Sequence, residues 1–216
     1  MSFQVMMEQL AGGLMKSISI FLLTLLFSLP LGLVVSFGRM SRNRIIRSIV
    51  WIFISILRGT PLMLQLLAVY FGPFYLFNLK IGSTWRFTAI IIAFSVNYAA
   101  YFAEIYRSGI ESMPPGQYEA AKLLGYSKSS TFLRIIFPQV VKRILPSVTN
   151  EVITLVKDTS LAFSLAYAEM FTIAKQIAAK ETSFMPFIAA AVFYYIFNAV
   201  VAFGMERIEK SLNYYT

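Results

Sequence analysis

The chain has 216 residues and a net charge of +9; 58% of its residues are hydrophobic and only 13% are charged. Soluble chains carry about a quarter charged residues, so this composition and a mean hydropathy of +0.69 exclude an ordinary soluble domain. The sequence contains no cysteine and no histidine, which excludes thiol nucleophiles, disulfides, histidine bases, and zinc or haem sites built on those ligands. The basic residues lie beside apolar segments, as membrane topology requires, and do not indicate a nucleic acid partner.

Five apolar segments are predicted to cross a membrane as helices. They lie at residues 17–38, 48–79, 87–106, 144–168 and 182–205. The second contains Pro61, and one long helix bent at this proline is the simplest account of its length. The fourth is the least apolar because Glu151, Lys157 and Asp158 lie within it. The sequence therefore predicts an all-α integral membrane protein with five transmembrane helices.

The basic residues predict the orientation of these spans. Twelve of the 19 basic residues follow the first, third or fifth span. The positive-inside rule places these loops in the cytoplasm, so the N-terminus is expected outside and the C-terminus inside. Residues 107–143 then form a cytoplasmic loop that is too long for a simple connection. Residues 160–180 are expected to include a short helix at the outer surface, and residues 1–216 to form a single membrane domain.

The cytoplasmic loop contains the pattern of a short helix followed by a turn. The Pro114–Pro115 pair suits the first helical turn, and Gly125 suits the left-handed position that ends a helix. Between them, Glu119 offers a carboxylate and its neighbours are small residues that a partner's backbone could approach closely. We interpret the segment as a docking element, with an amphipathic helix on the inner leaflet as the alternative.

This segment resembles the EAA motif of ABC importer permeases, which reads E-A-A, three residues, G, nine residues, I, one residue and L-P. The corresponding residues are Glu119, Ala120 and Ala121, then Gly125, Ile135, Phe137 and Pro138, with Phe137 in place of leucine. Three more segments, at residues 58–66, 101–107 and 157–161, resemble the polar amino acid branch of that family. The resemblance covers most of the chain from Leu57 onwards.

The resemblance implies a type I ABC importer permease subunit in a prokaryotic plasma membrane. Its coupling helix would seat in a cytoplasmic ATPase through Glu119, Ala120, Ala121 and Gly125. No Walker A loop occurs in the sequence, so the chain is expected to be no enzyme and to hold no cofactor or metal, with ATP and magnesium bound by the separate ATPase. The other implied partners are a second permease copy, preferably identical although a paralogue is possible, a second ATPase subunit, an extracellular substrate-binding protein, an amino acid and membrane lipid.

Polar side chains inside the spans are candidates for the substrate site because lipid does not solvate them. In the third span such residues recur at helical spacing and share one face. In the fourth span a helix break is expected near Lys157, where Thr159 and the next residue could cap a new helix that attracts a carboxylate. The predicted substrate-binding residues are Asn97, Tyr101, Glu104, Asp158, Ser160 and Ser164.

Structural roles are the alternative for the charged residues among these candidates. Asp158 could pair with Lys157 or with Arg58, and Glu104 could pair with Arg107. Arg58 itself is expected to brace the bend in the second span rather than to contact substrate.

The expected function is import of a polar L-amino acid by alternating access. The anions of the spans favour a cationic substrate such as arginine, lysine or histidine, with glutamine close behind. The alternatives are a self-sufficient secondary transporter and a membrane-embedded enzyme. We find no inverted repeat of the kind that many secondary transporters have, and the acidic residues are too scattered for a metal-dependent enzyme.

Overall fold

The computed structural model describes residues 2–212, and within this range the chain is helical without any strand. Nine α-helices follow one another in this range: α1 (Phe3–Arg39), α2 (Arg44–Gly59), α3 (Leu62–Phe77), α4 (Ser83–Glu111), α5 (Pro115–Leu123), α6 (Lys128–Thr131), α7 (Phe137–Asp158), α8 (Met170–Glu181) and α9 (Met185–Ser211). A π-helical turn (Phe132–Ile136) leads into α7, and a 3-10 helix (Thr159–Leu165) continues from it. Residues 112–136, between the end of α4 at Glu111 and the start of α7 at Phe137, contain α5, α6 and the π-helical turn, and the cytoplasmic loop over residues 107–143 stays a prediction.

Three helices of the described range, α1, α4 and α9, are each long and apolar enough to cross a membrane. The pair α2 and α3 forms a fourth candidate crossing. Helix α7 has 22 residues, five of them charged, and is not among the candidates found by length and composition. The fifth crossing therefore stays a prediction.

The prediction of one bent helix over residues 48–79 is wrong. Helix α2 ends at Gly59 and α3 begins at Leu62, and the two helices are bent by 111° at this break. Thr60 between them is extended, with φ of −120° and ψ of 147°. The residue before a proline is driven out of the helical region, and Pro61 has no N–H to offer a preceding turn. The second crossing is therefore broken into two helices rather than curved.

Small residues bring α1 and α4 into close contact. Thr24, Ser28 and Gly32 recur at every fourth position of α1 and are all buried. A Cβ atom added at Gly32 would lie 2.8 Å from Cβ of Phe102 and 3.1 Å from the carbonyl oxygen of Ala99, both on α4. Stripes of small residues allow this close approach of two membrane helices. The α1–α4 pair is the centre of the helical bundle.

Helix α8 is attached to the rest of the chain through a buried carboxylate. Glu169 precedes α8 and accepts hydrogen bonds from the backbone N–H groups of Phe171 and Thr172, each at 2.7 Å. It also accepts a hydrogen bond of 3.0 Å from the hydroxyl of Tyr194 on α9. Helix α8 confirms the short helix expected within residues 160–180, whereas its position at the outer surface stays a prediction.

The closeness of α1 and α4 predicts the effect of one added methyl group. Gly32→Ala should lower the free energy of unfolding by about 1–3 kcal/mol, because its Cβ meets the backbone and Cβ atoms of α4. Tryptophan fluorescence during thermal unfolding of the purified protein would report the change. Gly204→Ala is the matched control, because a Cβ at this helical glycine meets no atom within 4 Å. A melting temperature that rises equally in both variants would contradict the close contact between α1 and α4 at Gly32.

Candidate functional site

Two amide side chains hold the break between α2 and α3. Nε2 of Gln65 lies 2.8 Å from the carbonyl oxygen of Leu57 and 3.1 Å from that of Thr60. From α4, Asn97 donates to the same Leu57 carbonyl at 3.2 Å and to Oε1 of Gln65 at 3.0 Å. These amides replace helical partners that the carbonyls lose at the break. Asn97 was predicted to bind substrate, yet it is only 4% exposed and its amide braces the backbone.

The expectation that Arg58 braces the bend is wrong. Its guanidinium group lies over the ring of Tyr101, 5.2 Å from the ring centroid. Within residues 2–212, Arg58 makes no hydrogen bond and no ion pair. Gln65 performs the bracing, and sequence reasoning gave it no role. The sequence feature that could have indicated this role is the amide side chain four residues after Pro61, in a segment that is otherwise apolar.

A polar cavity of about 420 Å³ opens beside the break, between the end of α2, the C-terminal half of α4 and the N-terminal half of α7. Three arginines and two glutamates line it together with hydroxyl groups. The lining residues are Arg58, Tyr101, Glu104, Ile105, Arg107, Ser108, Gly109, Ser112, Arg143, Ile144, Ser147 and Glu151. Of the six residues predicted to bind substrate, the cavity brings together Tyr101 and Glu104.

Glu104 is paired within the chain. Arg107 donates to its carboxylate through Nε, at 3.2 and 3.1 Å, and through Nη2, at 2.7 Å. Nε of Arg39 lies 3.7 Å from Oε1 of the same carboxylate, and Arg107 also contacts Glu111. The structural alternative considered for Glu104 is therefore confirmed, because its charge is compensated before any ligand arrives.

Asp158 also has a partner inside the protein, but not one of the two expected. Its Oδ2 accepts a hydrogen bond of 2.7 Å from the hydroxyl of Tyr98, a residue of α4 that is 2% exposed. In the described part of the chain, no ion pair joins Asp158 to Lys157 or Arg58. The hydrogen bond to Tyr98 fastens the C-terminal end of α7 to α4.

The expected helix break after Lys157 is wrong. Asp158 and Thr159 keep helical dihedral angles, and the chain continues without interruption into the 3-10 helix. The hydroxyls of Thr159, Ser160 and Ser164 donate to the carbonyl oxygens three residues earlier, each at 2.8 Å. They satisfy the preceding turn instead of capping a new helix. The helical path ends only at Ala166, whose φ is 50°.

Helix α7 carries a polar stripe along one exposed face. Ser147, Asn150 and Lys157 are exposed and recur at helical spacing after the exposed Arg143. Amide and charged groups on a membrane helix face protein or water rather than lipid. This face of α7 therefore needs a cover that residues 2–212 do not supply.

The predicted docking helix is present as α5. Its first residue is Pro115, and Gly125 after its C-terminus has a φ of 81°, which confirms the expected left-handed position. Glu119 is exposed, as is Ala120, whereas Ala121 is 2% exposed and faces the chain's own interior. The largest exposed apolar side chains beside them are Leu123 and Leu124, at 89% and 75% exposed. Reciprocal hydrogen bonds of 2.9 and 3.0 Å between Gln117 and Gln139 tie α5 to α7.

Residues 28–214 match the family described as binding-protein-dependent transport system inner membrane component. The chain is 36% identical over 208 residues to the L-cystine transport system permease protein TcyB of Bacillus subtilis (strain 168), covering 95% of this chain and 87% of that protein. It is 34% identical over 204 residues to the arginine transport system permease protein ArtQ of the same strain, covering 93% and 90%. The putative glutamine transport system permease protein GlnP of Rickettsia bellii (strain RML369-C) is 36% identical over 202 residues, covering 93% and 91%.

Solved structures show the same fold. A chain described as belonging to an amino acid ABC transporter with histidines has 30% identity and a TM-score of 0.86, covering 98% of this chain and 99% of that chain. A chain of the MetNI methionine ABC transporter has 18% identity and a TM-score of 0.78, covering 99% and 100%. The chain therefore belongs to the family of binding-protein-dependent transport inner membrane components, and it has the helical fold of a type I ABC importer permease.

The hydrogen bond between α4 and α7 predicts a loss of stability on Tyr98→Phe. This change leaves the partly buried carboxylate of Asp158 without its donor, and should lower the free energy of unfolding by about 1–3 kcal/mol. Asp158→Asn should cost less, because the amide oxygen can still accept from Tyr98. Thermal unfolding of the variants would measure both effects, with Tyr195→Phe on an exposed position as the control. Equal stability of the Tyr98 and Tyr195 variants would show that the hydrogen bond contributes nothing.

Proposed function

We propose that this chain is the permease subunit of an ATP-driven ABC importer for polar L-amino acids. The observation that supports this most is the charged cavity beside the broken crossing of α2 and α3. Relatives at 34–36% identity are named for cystine, arginine and glutamine transport, which supports the amino acid class. Tyr101 and Glu104 line the proposed substrate site, while Asn97, Asp158, Ser160 and Ser164 are proposed to hold the shape of its surroundings.

The topology proposed for this function has five crossings, with the N-terminus outside and the C-terminus in the cytoplasm. Helix α7 is the fourth crossing in chain order, and its charged residues are tolerated because they face the cavity and a partner rather than lipid. Four arginines at the α1–α2 connection then lie on the cytoplasmic side with α5: Arg39 at the end of α1, Arg42 in the connection, and Arg44 and Arg47 at the start of α2. The same arrangement makes residues 1–216 one membrane domain.

A second permease copy is proposed to cover the polar face of α7. The cavity is open on one side, with Arg58 exposed, and the stripe of Ser147, Asn150 and Lys157 continues from it along α7. Lipid chains do not hydrogen-bond such groups, whereas a second copy could enclose them around an aqueous path. We prefer two identical copies, which would place two such faces opposite each other.

Helix α5 is proposed as the coupling helix that seats in a cytoplasmic ATPase, one per permease copy. Glu119, Ala120 and Gly125 supply an exposed carboxylate, a small residue and a fixed turn. The adjacent Leu123 and Leu124 are exposed apolar side chains, and their burial against a partner would be favourable. ATP and magnesium would be bound by the ATPase, and an external substrate-binding protein would deliver the amino acid.

The proposed substrate is a polar amino acid, and its side chain does not have to carry a positive charge. The sequence favoured a cationic substrate because the spans contain acidic residues. Glu104 is already paired with Arg107 and lies 3.7 Å from Arg39, and Asp158 is bonded to Tyr98. The cavity also has three arginines against two glutamates. The geometry therefore supports glutamine-like neutral substrates at least as well as cationic ones.

Uptake in proteoliposomes tests the proposed function. The complex of permease, ATPase and binding protein should import at least one radiolabelled amino acid from a panel of glutamine, arginine, lysine, histidine and cystine. Uptake should require ATP on the side of the membrane where the ATPase is bound. Uptake without the ATPase would favour a secondary transporter. No uptake of any amino acid, by a complex that hydrolyses ATP, would contradict the substrate class.

The coupling surface predicts which residues hold the ATPase. The double variant Leu123→Ala and Leu124→Ala should weaken its binding about tenfold or more, because it removes exposed apolar surface that binding would bury. Copurification and titration of the ATPase against permease in detergent would measure the loss. Leu133→Ala is the control, because Leu133 is a 60% exposed leucine on the π-helical turn rather than on α5. Unchanged ATPase binding, with weaker attachment of α5 to lipid vesicles instead, would favour the inner-leaflet alternative.

A further inference from the structure

An apolar groove lies between α1, α4, the π-helical turn and α7, and it is separate from the polar cavity. Its volume is about 560 Å³, and every side chain that lines it is a hydrocarbon except that of Tyr106. The hydroxyl of Tyr106 donates to the carbonyl oxygen of Leu29 at 3.4 Å, so it already has a partner. An apolar cavity of about 150 Å³ holds a benzene molecule, so the groove has room for a much longer hydrocarbon.

The groove is about as deep as one leaflet of a membrane. Its walls extend from Leu29 to Phe37 along α1 and from Phe137 to Val148 along α7. At 1.5 Å per residue these stretches measure about 12 and 17 Å, and half of a hydrocarbon core measures about 15 Å. Phe37 and Phe137 are the cytoplasmic ends of the two stretches in the topology proposed above. The groove therefore lies in the inner leaflet.

The groove is on the side of α7 that faces away from the polar stripe. Val141 and Val148 line the groove, and each is followed two residues later by an exposed polar residue, Arg143 and Asn150. Two residues correspond to a rotation of about 200° around a helix, so the two faces are nearly opposite. A second copy that covers the polar stripe therefore leaves the groove to lipid.

Unpaired arginines lie at the cytoplasmic end of the groove. Phe132 of the π-helical turn lines the groove, and Arg134 on the same turn is exposed. Arg134 makes no hydrogen bond, ion pair or ring contact with residues 2–212. Arg42, five residues after Phe37, is also exposed and makes no such contact within this range. Basic side chains at this depth attract anionic headgroups, and a guanidinium group can bind a phosphate through two hydrogen bonds.

We propose that the apolar groove binds one acyl chain of an anionic phospholipid of the inner leaflet, with the lipid phosphate at Arg134. The leaflet is assigned by the topology of the proposed function, on which this inference rests. Water does not fill an apolar groove, and an empty one lacks the dispersion contacts that an acyl chain would supply. The chain itself does not distinguish one phospholipid from another, so the preference for an anionic headgroup comes from the arginines.

Photo-crosslinking of the permease–ATPase complex tests this site. Nanodiscs of phosphatidylcholine would contain a trace of phosphatidylglycerol that carries a diazirine in its acyl chain. Mass spectrometry of peptides should find labelling at groove residues such as Leu33 and Val141, and excess unlabelled phosphatidylglycerol should displace it. The same probe with a choline headgroup should label the groove about fivefold less, because one surface arginine favours an anionic lipid to about that extent.

Matched variants assign the two parts of the lipid. Leu33→Trp should fill the groove and abolish the displaceable labelling of α7. Leu26→Trp should not, because Leu26 is an exposed leucine about two turns earlier on the same face of α1 and outside the groove. Arg134→Gln should reduce the preference for the anionic probe, whereas Arg47→Gln, at an exposed arginine of α2, should keep it. Copurification with the ATPase would show that each variant is folded.

The outcomes separate the lipid site from the proposed function. Labelling spread evenly over exposed apolar side chains, without displacement by unlabelled lipid, would overturn the site. Absence of groove labelling by either probe would also overturn it, because protein would then cover the groove. Equal labelling by the two probes would overturn the anionic headgroup. If the variants fail to assemble, displacement on the wild-type complex decides, and amino acid uptake tests the proposed function independently.

Discussion

The hydrogen bonds at the α2–α3 break are the constraint on which the rest of the site depends. In lipid, every backbone polar group has to be satisfied inside the protein, and Pro61 leaves carbonyls of α2 without helical partners. Gln65 from α3 and Asn97 from α4 both donate to the carbonyl oxygen of Leu57. Because the bracing is done by these amides, Arg58 at the end of α2 is free to lie over Tyr101 in the cavity. The break is thus braced by the neutral amides of Gln65 and Asn97, and the guanidinium group of Arg58 takes no part in the bracing.

Three acidic side chains are compensated by partners within the chain. Asp158 is satisfied by Tyr98, Glu104 by Arg107, and Glu169 by backbone N–H groups and Tyr194. Such pairing removes most acidic residues from consideration as ligands for a cationic substrate, since a carboxylate with a good partner gains little from a second one. The number of acidic residues in a span is therefore a poor guide to the charge of the substrate, because an acidic residue with a partner in the chain has little to gain from a substrate cation.

Local features of the sequence were the predictable part of this protein. The prolines before α5 and the left-handed glycine after it act within a few residues, so the docking helix could be predicted with its end. The apolar lengths of α1, α4 and α9 are likewise a local property. The partner of Asp158 lies 60 residues away and depends on how α4 and α7 rotate against each other. The hydroxyls of Ser160 and Ser164 could cap a new helix or return to their own turn, and residue type alone does not distinguish these uses.

Helix α7 connects the two surfaces on which the proposed function depends. At its N-terminal end Gln139 is bonded to Gln117 of α5, and at its C-terminal end Asp158 is bonded to Tyr98 of α4. Glu151 lies between these two attachments and faces the cavity. A helix of this length is stiff, so a displacement of α5 by an ATPase would be carried along α7 to Glu151 rather than lost in a loop. Arg58 is attached to a different element, so the same displacement would change the separation between Arg58 and Glu151 and with it the shape of the cavity.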